Sequence, residues 1–466
     1  MTRQMTLVGF MQAGNVTVYS GSWRYPSADL GFLTMDYYTR IGQVLEEGKF
    51  DCVFFDDRLA MPGVYGDSVA EAVRYGARPV KLDLIAVLGG IIGATARIGV
   101  GATYSTTYYQ PYHVARTFAT LDHLSGGRAA WNVVTSVNDS EAQNFGLSAA
   151  MDHDRRYDKA DEFLQAVAAL WDSWDDGALI MDRETGEFAD PAKVHEINHK
   201  GEWFSVRGPL TVPRTPQGRP VILQAGSSGR GREFAAAWAD MVFTGDPGLE
   251  VARQHYREQK EQIAAAGRNP DDVKILPMAY VVVGETQAIA EEKERLFLDA
   301  YVHPVASLAL LSELLNYDFA KHDLDDVVTD EMMAASSGVR GLSTGVRRHL
   351  GRDVTVRDLA AHRATLLQGP RFVGTATSVA DQMEEWFSSG GCDGFVLAAT
   401  HLPGAFEELV RMVVPVLQRR GLFRREYTGS TLRGHLGIAR PPSPAHQLPA
   451  DQPPAHQPPA HQPPAQ

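Results

Sequence analysis

The sequence predicts an α/β fold, a TIM (β/α)8 barrel with insertions. Short apolar runs of strand length alternate with helix patterns along most of the chain. Polar residues follow the ends of several of these runs, where parallel barrels bind their ligands. The 466 residues fit one barrel with insertions without requiring a second core. A doubly wound open sheet is the alternative fold.

The clearest repeating unit lies between residues 97 and 138. Ile98–Thr103 is an apolar run of strand length, and Pro111 stands where a helix can begin without losing a needed N–H. The helix shows one apolar face and ends at Gly126-Gly127. Ala129–Val134 is the next strand. Two parallel strands joined by a crossover helix make a βαβ unit, whose loops after the strands hold ligands.

The same alternation covers the rest of the chain. The other predicted strands are Leu7–Phe10, Cys52–Phe55, Val221–Gln224, Met241–Phe243, Lys274–Val283 and Gly394–Ala398. The predicted covering helices include Tyr37–Leu45, Leu82–Thr95, Tyr157–Trp171, a helix ending near Ala266, and Pro403–Arg419. Eight strand-then-helix steps favour the barrel over the open sheet.

Two insertions and a tail interrupt the pattern. Residues 178–213 contain a segment that alternates at period two and predicts a β-rich insertion. Residues 285–369 break into helical pieces before the last strand, which suggests a lid. We therefore expect one barrel over residues 1–437. Residues 438–466 end in Gln-Pro-Pro-Ala-His repeats and are expected to be a disordered, extended tail.

Composition restricts the partners. Lys and Arg total 44 against 57 Asp and Glu, and no basic stripe carries interleaved aromatic residues, so nucleic acid is not expected as a partner. No apolar stretch approaches membrane-spanning length, so no membrane association is expected. Cys52 and Cys392 lie beside predicted buried strands, and the N-terminus has no apolar signal region. We expect a cytoplasmic protein.

Two motifs point to chemistry that their context contradicts. His195–His199 reads H-E-I-N-H, the pattern of zinc proteases, but Pro191 and Gly201 flank it and the surroundings alternate like a strand. A surface hairpin without metal is the better interpretation. Gly89-Gly90-Ile91-Ile92-Gly93 lies within a helix pattern and does not follow a strand, so it predicts no dinucleotide site. Reducing equivalents for any redox reaction would then come from another cofactor or another protein.

The loop after Gln224 is the strongest candidate anion site. It offers Gly226, Ser227, Ser228 and Arg230 between a strand and a helix, and a helix N-terminus of this kind binds phosphate. An ordinary glycine-rich turn with an N-cap serine is the alternative.

Four further residues stand out. His153 and Tyr157 lie four residues apart at the start of a long helix and could close on a phosphate or an isoalloxazine edge, or only cap the helix. Asp57 ends a strand as the second of two carboxylates, placed either to meet a ligand or to cap a turn. His303 is the best candidate for acid/base catalysis, although a packed structural histidine is the alternative.

Seven ordered motifs carry a resemblance to a known family. They are A-G-N-V-T (13–17), G-S-W-R (21–24), G-K-F-D (48–51), T-Y-Y-Q-P-Y-H-V-A-R (107–116), L-S-G-G-R-A-A-W-N-V-V-T-S (124–136), D-H-D-R-R-Y-D-K-A-D-E-F (152–163) and P-V-I-L-Q-A-G-S-S (220–228). Together they resemble the bacterial-luciferase-like flavin monooxygenases, in the branch that contains nitrilotriacetate, EDTA and dibenzothiophene-sulfone monooxygenases. The last of these enzymes are the most similar.

The resemblance implies a barrel that uses FMN in its reduced form, FMNH2, together with O2 and a small organic substrate. A separate NAD(P)H-dependent flavin reductase would supply the FMNH2, and a homo-oligomer, dimer or tetramer, is expected. By motif, the residues that would hold FMN are Asp57, Thr103, Asn132, Ser136, His153, Tyr157, Ser227 and Ser228, with the last four near the phosphate. The substrate side would be lined by Phe10, Phe55, Phe243, Phe372 and Val373.

One loop departs from the family pattern. The similar enzymes carry a histidine after A-G-N-V-T, whereas this chain has Val18-Tyr19-Ser20, which adds Tyr19 to the substrate side and allows a different substrate. Few charges among these residues favour an apolar aromatic substrate, with C–S cleavage or oxidative dehalogenation as the reaction. An aminopolycarboxylate monooxygenase, a deazaflavin-dependent reductase and a non-catalytic flavin-binding barrel remain alternatives.

Overall fold

The computed structural model describes residues 3–226, 229–335, 354–365 and 369–443. Its strands in chain order are β1 (Thr6–Gln12), β2 (Cys52–Asp56), β3 (Gly99–Ser105), β4 (Ala129–Val134), β5 (His199–Lys200), β6 (Ser205–Val206), β7 (Val221–Gln224), β8 (Met241–Thr244), β9 (Lys274–Val283), β10 (Arg371–Gly374) and β11 (Gly394–Ala398).

Eight of these strands form a closed parallel barrel. Their order is β1-β2-β3-β4-β7-β8-β9-β11, and β11 pairs with β1 to close the ring. These are the eight strands that the sequence predicts, and their ends differ by at most two residues. The fold class is confirmed. The additional strand β10 pairs with the C-terminal half of β9, from Tyr280 onward.

Helices cover the outside of the barrel. They are α1 (Met35–Glu47), α2 (Ala70–Tyr75), α3 (Leu84–Ala94), α4 (Pro111–Ser125), α5 (Asp139–Asn144), α6 (His153–Trp171), α7 (Gly229–Trp238), α8 (Leu249–Ala265), α9 (Gln287–Arg295), α10 (Pro304–Leu315), α11 (Asp330–Ala334), α12 (Val356–Thr365), α13 (Ala376–Ser388), α14 (Gly404–Glu408), α15 (Val414–Arg419) and α16 (Leu432–Leu436). A π-helical turn, Leu409–Val413, joins α14 to α15.

Strand side chains alternate between two apolar layers, because successive residues of a strand point to opposite faces. On β2, Cys52 and Phe54 belong to the cluster inside the barrel, together with Phe10 and Phe243. Val53 and Phe55 belong to the cluster between the barrel and its helices. This alternation decides which side chains face the barrel interior.

The first insertion contains less strand than the alternation predicts. Its strands are the short antiparallel pair β5 and β6, and the remainder is turns and isolated bridges. His199 lies on β5, which confirms the hairpin. His199 pairs with Glu162 at 3.3 Å and His195 with Asp175 at 2.9 Å, so the two imidazoles have different partners. Within the described ranges, no cluster of three His, Cys, Asp or Glu side chains could hold a metal ion.

The second insertion is helical where it is described. It contains α9 to α12, and its own apolar cluster includes Leu308, Leu311 and Phe319. Residues 336–353 and 366–368 of this predicted lid lie outside the described residues.

The predicted tail begins too early. Ile438 is buried in the cluster inside the barrel, and Arg440 forms a bidentate pair with Asp176 at 2.6 and 2.8 Å. Arg214 donates to the carbonyl oxygen of Pro441 at 2.8 Å. The packed chain therefore extends beyond residue 437 because residues 438–443 have partners on the barrel, while residues 444–466 lie outside the described residues. No helix in the described part of the chain is long and apolar enough to cross a membrane.

Candidate active site

A cleft of about 240 Å³ opens at the C-terminal end of the barrel. The loops after β2, β4 and β7 form it together with the first turns of α6. Its wall includes Asp57, Arg58, Ser136, Asn138, Tyr157 and Gly226. This is the end at which barrels of this type bind their ligands.

Thr103 and Asn132 lie side by side on β3 and β4. The Thr103 hydroxyl donates to the carbonyl oxygen of Phe55 at 2.9 Å, and Asn132 Nδ2 donates to Thr103 Oγ1 at 2.9 Å. Asn132 Oδ1 is buried without a hydrogen-bond partner. A buried acceptor without a partner is costly unless a ligand supplies a donor. A flavin ring carries such N–H donors, so this pair fits the expected cofactor.

Ser136 follows β4 in a left-handed conformation, with φ of 38°. Its hydroxyl donates to Ser105 Oγ at 3.0 Å, and its carbonyl oxygen accepts from Arg156 Nη1 at 2.9 Å. Non-glycine residues adopt such φ values when their surroundings hold them there, and this is common at binding sites. Arg156 could not be predicted from the sequence, since the motif does not indicate whether Arg155 or Arg156 turns inward.

Gly226 allows close packing beside Tyr157. Its N–H donates to Gln224 Oε1 at 2.7 Å. A Cβ atom at this position would lie 2.5 Å from Gln224 Nε2, 2.9 Å from Gly231 Cα and 3.0 Å from Tyr157 Oη. Nearby, the His153 ring lies 5.3 Å from that of Tyr157, and its Nδ1 is 2.7 Å from Asp154 Oδ1. The predicted ligands Ser227 and Ser228 lie outside the described residues.

Gly226→Ala is expected to weaken FMN binding about tenfold, because the added methyl group forces the loop away from Tyr157. Gly229→Ala is the matched control, since a Cβ atom at Gly229 meets nothing within 4 Å. Equilibrium dialysis with FMN measures both variants. Equal affinity in the two would show that the packing at Gly226 does not shape the cofactor site.

Arg230 is paired with two carboxylates of α6. Its Nη2 pairs with Asp158 at 3.1 Å and with Asp161, and its guanidinium lies 5.8 Å from the centre of the Tyr157 ring. These pairs join α7 to α6. The role of Arg230 at the cofactor phosphate stays a prediction.

The two carboxylates after β2 have different surroundings. Asp56 pairs with Lys81 at 2.5 Å and accepts from Gln12 Nε2 at 3.1 Å. Asp57 faces the cleft and accepts from the Arg58 N–H at 2.8 Å. Loss of solvent raises the pKa of Asp57 to about 7, although Lys81 and the Arg58 N–H act to lower it. Asp57 is therefore a carboxyl group that changes charge near neutral pH.

The barrel interior beside the cleft is aromatic. Phe54 lies 5.8 Å from Phe10 and 4.9 Å from Phe243, measured between ring centres. Tyr19 lies 6.2 Å from Tyr280 in an edge-on arrangement. These rings are buried and uncharged, so a ligand that entered the barrel interior would meet aromatic side chains.

Two residues predicted to line the substrate side, Phe55 and Phe372, point away from the barrel interior. Phe55 packs outward against Tyr38, with 6.2 Å between ring centres. Phe372 packs outward against Trp386 and Phe395, at 6.2 and 5.3 Å. The interior residue on β2 is Phe54, which strand alternation could have identified. Val373 follows Phe372, so alternation places it on the opposite face of β10.

His303 does not line the cleft. Its Nδ1 accepts from the Val305 N–H at 3.3 Å and so caps α10, and its ring stacks on Tyr75 at 3.7 Å. Partial burial lowers its pKa. It does not lie among the residues that line the cleft. This geometry is that of the packed structural histidine, the alternative to acid/base catalysis.

Comparison with known proteins defines the class. A model of the family described as luciferase-like monooxygenase matches residues 11–393. The chain belongs to this family, and it is accordingly an enzyme of the flavin-dependent monooxygenase type.

Individual relatives agree with this assignment. The chain is 47% identical to dibenzothiophene-sulfone monooxygenase of Rhodococcus erythropolis, over 94% of this chain and 98% of that protein. It is 40% identical to nitrilotriacetate monooxygenase component A of Aminobacter aminovorans, over 94% and 97%. A crystal structure of riboflavin lyase with modified FMN and riboflavin superimposes with a TM-score of 0.84, at 33% identity over 93% and 96% of the two chains. The family resemblance read from the sequence is confirmed.

Proposed function

We propose that this protein is the oxygenase of a two-component system that takes FMNH2 from a separate NAD(P)H-dependent flavin reductase. It inserts one oxygen atom from O2 into an apolar aromatic or heteroaromatic substrate, by C–S cleavage of a sulfone or by oxidative dehalogenation of a chloroaromatic. The observation that carries the proposal is the aromatic barrel interior formed by Phe10, Phe54 and Phe243, next to a polar cleft.

The residues of the cleft fit FMN. Asn132 lies two residues after Ala130 of the interior cluster, so strand alternation turns its side chain into the barrel, where Oδ1 would accept from an N–H of the flavin ring. Ser136 would line the cleft, and Tyr157 and Gly226 would lie on the phosphate side. When bound, reduced FMN supplies the electrons that split O2, so that one oxygen atom enters the substrate and the other leaves as water. The chain has no dinucleotide fingerprint, which supports a separate reductase. The name of one relative, component A, also designates a multicomponent enzyme.

An aminopolycarboxylate substrate is the second candidate, because nitrilotriacetate monooxygenase component A is 40% identical to this chain. A polycarboxylate needs cationic partners in its pocket. The aromatic residues Phe10, Tyr19, Phe54 and Phe243 offer none. Cations do lie at the cleft and beside it, but Lys81 is paired with Asp56, and Arg58 lies 4.0 Å from the buried carboxylate of Glu313. The aromatic substrate class is therefore preferred.

Turnover with isotope-labelled oxygen tests the proposal. The protein, a flavin reductase, FMN and NADH are supplied with ¹⁸O2 and with dibenzothiophene sulfone, a chlorophenol or nitrilotriacetate. We expect one ¹⁸O atom in the product of an aromatic substrate, measured by mass spectrometry. Turnover of nitrilotriacetate but of neither aromatic substrate would contradict the proposed substrate class. A product without ¹⁸O would contradict the proposed monooxygenase reaction.

Phe54→Ala and Phe55→Ala should differ in their effect on KM. Phe54→Ala is expected to raise KM for the aromatic substrate about tenfold, because it removes part of the interior wall. Phe55→Ala leaves that wall intact and should leave KM unchanged. Both variants should lower the free energy of unfolding by about 3 to 5 kcal/mol, because both side chains are buried. Steady-state kinetics and denaturant unfolding of both variants measure the two effects. A larger KM change in the Phe55 variant would contradict the assigned orientation.

A further inference from the structure

Helix α10 of the second insertion reaches the wall of the cleft through Glu313. This residue lies in the last turn of α10, and its side chain is fully buried. A buried carboxylate is retained only where hydrogen bonds or opposite charges compensate for its lost hydration. The partners of Glu313 therefore show what the helix is held against.

The carboxylate is held by two loops at the mouth of the barrel. The Gly63 N–H, in the loop after β2, donates to Oε2 at 3.2 Å, and Arg58 Nη1 of the same loop lies 4.0 Å from Oε1. The hydroxyl of Ser140, at the start of α5 after β4, donates to Oε1. One side chain of the insertion thus joins the loops that follow two barrel strands.

The main chain of Glu313 adds a third link. Asn138 Nδ2 donates to its carbonyl oxygen at 2.5 Å. Asn138 and Arg58 both line the cleft. The same two loops also bind each other, since the Leu59 N–H donates to Glu141 Oε1 at 2.9 Å. A displacement of Glu313 would therefore alter the positions of two residues on the cleft wall.

We propose that Glu313 is a positioning residue that couples the order of α10 to occupation of the flavin cleft. This inference rests on the proposed use of FMN. Glu313 holds Arg58 and Asn138 in the positions in which they would line the cofactor site. FMN bound in the cleft therefore stabilises the contacts of these two residues with Glu313, and these contacts anchor α10. Such coupling is reciprocal: loss of the anchor weakens FMN binding, and FMN binding orders the anchor.

Hydrogen exchange tests the coupling without turnover. Wild type, Glu313→Gln and Ser140→Ala are compared with and without dithionite-reduced FMN under anaerobic conditions, and the Kd is measured by anaerobic equilibrium dialysis. Glu292→Gln is the matched control, because it removes the same charge from an exposed pair with Arg295 in the same insertion.

In wild type and in Glu292→Gln, FMN should slow exchange in residues 304–315 and in residues 133–138. In Glu313→Gln we expect about tenfold weaker FMN binding, continued protection of residues 133–138, and no protection of residues 304–315. Ser140→Ala should show a smaller loss of the same kind. It serves as the test variant if Glu313→Gln does not fold.

The possible results distinguish a failure of the proposed coupling from a failure of the proposed function. FMN binding to wild type without protection of residues 304–315 overturns the coupling alone, as does full protection with an unchanged Kd in the two test variants. Absence of FMN binding to wild type overturns the proposed function and the coupling with it.

Discussion

Asn132→Leu is expected to weaken FMN binding about 10- to 100-fold and to leave the folded protein as stable as wild type or slightly more so. The cofactor loses the acceptor Oδ1, which is buried without a partner, and a buried hydrogen bond of this kind is worth about 1 to 3 kcal/mol. The folded chain loses only the donation from Nδ2 to Thr103. That hydroxyl keeps its own bond to the Phe55 carbonyl.

Anaerobic equilibrium dialysis with reduced FMN and denaturant unfolding without FMN measure the two quantities. Weaker FMN binding together with an unchanged or higher free energy of unfolding would identify Asn132 as a residue kept for binding at the expense of stability, as is common at active sites. An unchanged FMN affinity would show that the free acceptor does not face the cofactor.

The affinity for FMN is expected to fall as the pH rises through about 7, by up to tenfold per pH unit, because of Asp57. FMN would cover this carboxyl and remove more of its solvent, which favours the protonated form, so that binding takes up a proton. The charged neighbours are Lys81, which lowers the pKa of Asp57, and Asp56 and Asp83, which raise it.

Asp57→Asn removes this dependence. The phosphate of FMN also titrates, at about pH 6, but it does so with both proteins, so its effect cancels in the comparison.

The raised pKa of Asp57 also makes the free energy of unfolding depend on pH. Because the folded-state pKa of Asp57 lies above the ordinary 3.8, its contribution to stability is full at low pH and falls as the pH rises through about 7. The stability of the variant relative to wild type should therefore increase as the pH rises from about 3.8 to about 7, and should stay level above that range. Parallel pH profiles for the two proteins would contradict the assignment.

The elements of the barrel follow from local patterns, which is why they could be predicted. Strands such as Ala129–Val134 and Lys274–Val283 are mostly apolar, as expected for strands covered on both faces. Pro111 and Gly126 mark the two ends of α4 for steric reasons that act within a few residues.

The side chains of the site depend on distant parts of the chain and were harder to predict. Phe54 and Phe55 are equally apolar, and only the closed barrel decides which one faces inward. The pairs of Arg230 with Asp158 and Asp161 could not be predicted because these carboxylates are about seventy residues away in sequence. Glu313 carries no local signal, since its partners Ser140, Gly63 and Arg58 lie 173, 250 and 255 residues away in sequence. Asp57 and Ser136 could be predicted because they follow barrel strands, whereas Asn132, within β4, was predicted from the family resemblance.

The most direct test of the central claim is the reoxidation of reduced FMN followed by stopped-flow absorbance. Anaerobic protein with reduced FMN is mixed with oxygenated buffer, and the time course is compared with that of free reduced FMN and with Asn132→Leu. If the cleft binds reduced FMN and controls its reaction with O2, the time course changes with protein concentration until it saturates, and the variant requires much more protein. A time course identical to that of free reduced FMN at every protein concentration would contradict the account.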